Sequence, residues 1–311
     1  MSATPDDGPM GLSPAFIILY GPSGLGKSTD CLWAAAAAGV FIVAHPDGLA
    51  PIFATQKIAL KASQVRIAQN LTGAYSHLLA IITSNQKGET AYTFIVIDDL
   101  SMLMENELAD MKASGRYNAS GGNFSFTMWG DLMGILLTFG RVARWAGVHV
   151  LANAHVRDPG FDQKGNFYRG GPSVPQAKQV MKLPHIATEV LKIEHDPDVY
   201  MHPVHMRAEI DSSWEMKSRY GLNGTAPLNT GEWMRAQGHM IPRPYPWIEE
   251  WVGVIADRIT AGGSQREVAK KALDLLISKG RSKEAAYWAV RDGVHRAAFR
   301  QIQATALIAR V

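Results

Sequence analysis

A single cysteine, Cys31, among 311 residues excludes an intrachain disulfide and fits a reducing compartment. The opening residues, Met1-Ser-Ala-Thr-Pro-Asp-Asp, have no basic stretch followed by an apolar core, so no signal peptide is expected. No uninterrupted apolar run is long enough to span a bilayer, and the cytoplasm is the expected location. Net charge is also scarce. A formal +3 is too small to identify a polyanionic partner by itself. What is there is an ordinary globular composition, 47% hydrophobic and 19% charged, with enough chain to bury a substantial core. The charge is unevenly spread. Residues 262–311 carry ten Lys or Arg against four acids, which leaves residues 1–261 at a net −3.

This asymmetry and the pattern of apolar runs divide the chain into a polar arm (1–14), an α/β body (15–261) and a basic helical tail (262–311). Continuous apolar runs at 15–20, 40–44, 92–97 and 148–154 read as strands buried on both faces. Helical patterns at 27–38, 71–85, 101–113 and 127–146 alternate with them, with Gly39 as a C-cap and Ser101 as an N-cap. Later runs at 189–194 and 205–210 alternate in polarity, as strands with one solvated face do. The expected fold is therefore α/β, with a mostly parallel sheet, an antiparallel edge extension and a small helical C-terminal appendage. Helix 247–259 precedes a Gly262-Gly263 hinge, and the tail beyond it reads as a satellite helical hairpin or a nucleic-acid contact.

One motif carries chemistry. Gly21-Pro22-Ser23-Gly24-Leu25-Gly26-Lys27-Ser28 satisfies G-x-x-x-x-G-K-[ST] between a buried strand and a helix that continues through Thr29. Glycines let successive backbone N–H groups face a phosphate, and the helix end adds its positive dipole. Lys27 would bridge the β- and γ-phosphates of ATP, and the Ser28 hydroxyl would hold Mg²⁺. Asp98 ends the third strand, where a carboxylate can hold Mg²⁺ through water or can cap the next helix. Asp99 and Asp47 are candidates for the base that activates water, or for cap and turn residues. His155, at the end of the fourth strand, can sense the γ-phosphate or serve as a structural histidine.

Two segments rich in turn residues complete the picture. Residues 114–126 carry Arg116, Tyr117, Phe124 and Phe126; residues 156–176, with four Gly and three Pro, carry Arg157, Lys164, Arg169, Phe161, Phe167 and Tyr168. Cations interleaved with rings suit single-stranded nucleic acid, although rings also pin loops to a body.

In this order the residues resemble the RecA-like P-loop ATPases, closest to phage-encoded RecA-like ATP-binding proteins linked to single-strand annealing and recombination. The resemblance covers residues 14–225 and implies an ATPase domain over 15–261. It implies Asp98 as the metal aspartate, Asp47 as the acid after the second strand and His155 as the polar sensor. It also implies 114–126 and 156–176 as two single-stranded-DNA loops, and Lys217 and Arg219 as the basic pair that reaches the ATP of a neighbour in a homo-oligomer, either a filament or a ring. Read from the residues alone, Lys217 and Arg219 are a solvated strand face, the commoner fate of charges on an edge. The family places Gln where this chain has His155 and Glu where it has Asp47, and the Asp98-Asp99 pair looks more like AAA+ ATPases. The implied function is a DNA-stimulated, Mg²⁺-dependent ATPase in recombination, annealing or repair. A small-molecule P-loop kinase, and an AAA+-like motor or structural ATP-binding protein of a virus, are the alternatives.

Overall fold

Strand β1 (Phe16–Tyr20) is apolar throughout because helices cover both faces of its sheet. The computed structural model describes residues 13–45, 47, 60–117, 126–175, 182–196, 204–209, 211–243 and 245–308. After β1 come α1 (Lys27–Ala35), β2 (Gly39–Val43), β3 (Val65–Ile67), α2 (Leu71–Gln86), β4 (Phe94–Asp98), α3 (Leu100–Ala113), α4 (Phe126–Trp145) and β5 (His149–Ala154). Four short strands follow: β6 (Val156–Arg157), β7 (Gly160–Phe161), β8 (Phe167–Tyr168) and β9 (Gly171–Pro172). The short turn α5 (Leu183–Ile186) leads into β10 (Glu189–His195), β11 (Val204–Ala208), β12 (Lys217–Ser218) and β13 (Gly224–Pro227). The chain ends in α6 (Thr230–Ala236), α7 (Trp247–Thr260), α8 (Gln265–Ser278) and α9 (Lys283–Ile308).

The main sheet runs β13-β11-β10-β1-β5-β4-β2-β3, with β12 paired to β10. From β10 to β3 all neighbours are parallel; β11, β12 and β13 form the antiparallel extension. The α/β class, parallel sheet, antiparallel edge and helical C-terminal region are all present. Side chains of β1 alternate between two cores, as a period of two requires. Phe16, Ile18 and Tyr20 pack with α2, α3 and α4, whereas Ile17 and Leu19 pack with α1 and α6 to α9. Full burial of each such large apolar side chain contributes about 1.5–3 kcal/mol.

Four local expectations are corrected. Helix α1 stops at Ala35, and Gly39 is not its cap but the first residue of β2. A Cβ at Gly39 would stand 2.6 Å from the Ala35 carbonyl oxygen, so the return of the chain requires glycine there. Helix α3 is capped by Asp99 rather than Ser101, because the Asp99 carboxylate accepts from the N–H groups of Ser101 (2.6 Å) and Met102 (3.4 Å). Segment 156–175 is not an irregular loop but a folded-back hairpin, with β6 paired to β9 and β7 paired to β8. Finally, the C-terminal helices are no satellite. Trp288 of α9 stacks on Trp33 of α1 at 4.5 Å, and Arg291 of α9 is ion-paired at 3.0 Å with Asp30 of α1.

Several of the tail's cations are consumed in such pairs. Arg296 bonds Glu232 and Glu249, and Arg300 bonds Asp257; from the body, the buried Arg243 bonds Glu232, Glu249 and the tail's Asp292. Burial opposes the charge on Asp292, but Arg243, Arg291 and Arg235 outweigh it and hold the carboxyl below its usual range. The polar arm and Ile210 lie outside the described residues, apart from the arm's last two positions.

Candidate functional site

Because β1, β2, β4 and β5 are parallel, the residues that follow them emerge at one edge of the sheet. Gly21 opens the turn after β1. A Cβ there would lie 2.6 Å from the Ile193 carbonyl oxygen of β10, so the loop passes this strand only as glycine. Gly26 takes the N-cap position of α1 with φ +81°, a left-handed conformation that lets the chain enter the helix with its first N–H groups unpaired by side chains. Ser28 and Thr29 follow in the first turn. The Lys27 ammonium donates to the carbonyls of Gly21 and Pro22, each at 2.8 Å. Burial lowers its pKa, while Asp99 and Asp98 oppose that change. Lys27 is thus held over the same loop that a phosphate would occupy.

The strand between β1 and β4 supplies the residue that joins the site. From β5, the Asn153 amide nitrogen donates to Asp98 Oδ1 at 3.2 Å and to Ser28 Oγ at 3.4 Å. Its carbonyl oxygen accepts from Cys31 Sγ at 3.3 Å. Asn153 is buried, so these bonds fix the hydroxyl and the carboxylate relative to each other. Sequence reasoning missed it. The available signal was an amide in the otherwise apolar run Val148-His-Val-Leu-Ala-Asn-Ala154. A hydroxyl and one carboxylate, with room for phosphate and water oxygens, is a donor set that suits Mg²⁺. Among the described residues no cluster of three or more His, Cys, Asp or Glu could hold a metal without such outside ligands.

Asp99 has two engagements. One carboxylate oxygen caps α3, and the other lies 2.6 Å from His155 Nε2. Burial raises the Asp99 pKa, and His155 acts against that rise. His155 is half-exposed, and its backbone N–H donates to Ser101 Oγ at 3.0 Å. Ser101, no longer a cap, therefore pins the end of β5 to α3.

A family model described as AAA domain matches residues 13–220. The chain belongs to the AAA-domain family of P-loop ATPases. No curated protein matches the sequence. Among solved structures, the KaiC-like protein PH0186 from the archaeon Pyrococcus horikoshii OT3 is 14% identical with a TM-score of 0.37, over 68% of this chain and 88% of that one. A prototypical ATPase from the type III secretion system of pathogenic bacteria has the same identity, 14%, and TM-score, 0.37, over 58% of this chain and 52% of its own. Neither likeness is close enough to bear on function.

The remaining candidates of this AAA domain lie at different distances from the loop. Asp47 follows β2 at the same sheet edge and is exposed. Lys217 and Arg219 are not brought to the phosphate loop. Lys217 pairs with Val190 and Ser218 with Glu189, opposite Ile18 and Ile17 of β1, so the chain runs from there to the other edge of the sheet. The Lys217 ammonium donates to the carbonyls of Pro184 and Ala187, and burial lowers its pKa. Arg219 is exposed.

In the hairpin that grows from His155, Phe161 and Phe167 are 69% and 50% exposed and meet edge to face at 5.5 Å. Tyr168 instead takes the Arg157 guanidinium at 5.5 Å from its centroid, and Arg169 bonds Glu215 at 3.4 Å. Lys164 stands in the exposed turn, whose backbone is held by the Asp162 carboxylate. In the other segment Tyr117 is no stacking platform: it is buried and donates to Asp131 at 2.7 Å. Residues 118–125, Phe124 among them, lie outside the described residues, and Phe126 begins α4. No helix among the described residues is long and apolar enough to cross a membrane.

Proposed function

We propose that this AAA domain is a Mg²⁺-dependent ATPase that acts on single-stranded DNA in recombination, annealing or repair, as a homo-oligomer in the cytoplasm. The observation that carries the reading is the link from site to hairpin. His155 bonds Asp99 at 2.6 Å, next to Asp98, and the hairpin with its exposed Phe161 and Phe167 begins at the next residue. A strand that stacks on those rings would bear on His155, and through it on the carboxylates beside the nucleotide. Lys27 would neutralise β- and γ-phosphate charge, Ser28 and Asp98 would hold Mg²⁺, and Asn153 would keep those two ligands in register. Loop 114–126 is the second contact expected for the strand. Asp47 and Asp99 both remain candidates for the base; in Asp99 the cap and the His155 contact occupy the carboxylate.

Homo-oligomerisation comes with the sequence resemblance, and the position of Arg219 is compatible with it. Exposed at the edge away from its own phosphate loop, Arg219 would reach a nucleotide only in another subunit. The link to phage-encoded recombination proteins comes with the sequence resemblance. The kinase alternative is disfavoured, because both arginines that would form a lid, Arg157 and Arg169, already bond Val174 and Glu215. The test is steady-state ATP hydrolysis with and without oligothymidylate. Stimulation by the oligonucleotide is expected, and its loss when Phe161 and Phe167 are both changed to Ala. Absence of DNA binding in either nucleotide state would refute the reading.

A further inference from the structure

Around the turn α5, several cations gather about one buried acid, Glu189. The Arg144 guanidinium, near the end of α4, donates to Ile186 O at 3.0 Å. Lys217 donates to the carbonyls of Pro184 and Ala187 in the same turn. Arg219, two residues further on, is exposed, as are Lys182 and His185. None of these groups is ion-paired among the described residues. Glu189 lies fully buried at the start of β10, with one carboxylate oxygen accepting from the N–H groups of Arg219 and Tyr220. Burial raises its pKa to about 7, so its negative charge is incomplete near neutral pH. Lys217 feels the imbalance: after burial, the charge of Arg219 is the main influence that lowers its pKa.

Beside this cluster runs a stripe on α4. Leu137, Arg141 and Trp145 are spaced four residues apart, so they share one face of the helix, and all three are exposed. Trp145 is 80% exposed and adjoins Arg144. An exposed indole on a face that also carries exposed cations combines what a single strand needs: cations for phosphates and a ring for a base.

We propose that this face, at the sheet edge away from the nucleotide, is a second binding surface for single-stranded nucleic acid, with Trp145 stacking on a base while Arg141 and Lys182 meet phosphates. It rests on the reading of the protein as a single-strand-dependent ATPase and adds a site separate from the hairpin. An acidic face of a second copy of the chain is the competing occupant, and the test separates the two.

The experiment is fluorescence anisotropy of labelled oligothymidylate titrated with the full chain at several salt concentrations, for wild type, Trp145→Ala and Arg141→Ala. Sedimentation velocity and DNA-independent ATP hydrolysis are measured on the same preparations. Trp145→Ala should weaken binding by roughly 5- to 100-fold, as loss of one stacked base does. Arg141→Ala should reduce the slope of log affinity against log salt by about 0.7, the value for one single-strand phosphate. DNA-independent hydrolysis should stay at the wild-type rate in both. Wild-type affinity and slope in both variants, with the parent still binding, would overturn the surface while leaving the single-strand reading intact. A change in sedimentation with unaltered binding per subunit would also overturn it and assign the face to a second copy. If the wild type binds no oligothymidylate in any nucleotide state, the single-strand reading itself fails, and this surface with it.

Discussion

Replacing Asn153 by leucine keeps the branched shape and the number of heavy atoms, in a somewhat larger side chain, and removes the hydrogen bonds that join Ser28 to Asp98. The bond to the Asp98 carboxylate, 3.2 Å long, is the charge-assisted one, and such bonds contribute about 1.5–3 kcal/mol. The bond to Ser28 Oγ is longer, 3.4 Å, and weaker. Cys31 Sγ also loses its acceptor, but a thiol is a poor donor and the loss is small. The sum is about 2–3 kcal/mol, most of it felt where the metal ligands are oriented. Loss of such an orienting partner typically costs about 10- to 100-fold in metal affinity or turnover. The assay is ATP hydrolysis as a function of Mg²⁺ at saturating nucleotide, with thermal melting measured alongside. The apparent Mg²⁺ requirement should rise by at least tenfold, or turnover should fall by that factor. A lowered melting temperature with an unchanged Mg²⁺ profile would refute the argument, because Asn153 would then matter to the core and not to the ligands.

Other expectations are more direct. Lys27→Ala should abolish hydrolysis while leaving circular dichroism unchanged; wild-type turnover would contradict the site. Arg219→Ala should leave nucleotide binding intact and cut hydrolysis at least tenfold only at concentrations where the protein assembles, as sedimentation and turnover measured together would show. Arg291→Met strands the buried Asp30 carboxylate and should cost about 3–5 kcal/mol in urea unfolding, the usual penalty for breaking a buried pair. His149 is buried, with its Nδ1 accepting from the Ala15 N–H at 3.0 Å, and burial, then His239, lowers its pKa to about 4. The neutral ring is favoured in the fold, so its contribution is complete above pH 6.5 and is lost as pH falls towards 4. About 3 kcal/mol is at stake, at ~1.4 kcal/mol per tenfold in proton affinity. Urea midpoints between pH 4.5 and 7.5 should show that slope in the wild type and a flatter one in His149→Gln.

What the sequence makes legible depends on range. The buried strands 15–20, 40–44, 92–97 and 148–154 each declare themselves, because a continuous apolar run is a local signal; β1, β2, β4 and β5 fall there with shifts of a residue or two. Three-residue β3 and the strand β13, Gly224-Thr-Ala-Pro227, carry no such signal and are held by pairing with distant strands. The phosphate loop is equally local, since its conformation is written in its glycines. Asn153 was not legible, because its role exists only once β5 lies between β1 and β4. Ser101 was misread for a related reason. Asp99, two residues earlier, starts the helix there and accepts from the N–H groups of Ser101 and Met102, so Ser101 lies inside the helix and its hydroxyl is free to take the backbone N–H of His155.

The basic tail shows how far such long-range closure reaches. Read along the chain, its cations look like a solvated face or a polyanion contact. In the fold, Arg291 turns inward to Asp30, which is two residues beyond Ser28 in the phosphate-loop helix and also accepts from Thr230 at 2.6 Å. Asp292 accepts from Trp33 of the same helix at 3.2 Å and from Asn229 at 2.8 Å. Helix α1 is therefore held on one side by the sheet and on the other by residues that lie outside the 13–220 family match. A buried carboxylate at position 30 is tolerable only with these partners present. The nucleotide-binding unit of this protein thus extends through α9, and a chain cut at residue 220 would expose Asp30 and Trp33 directly beneath the phosphate loop.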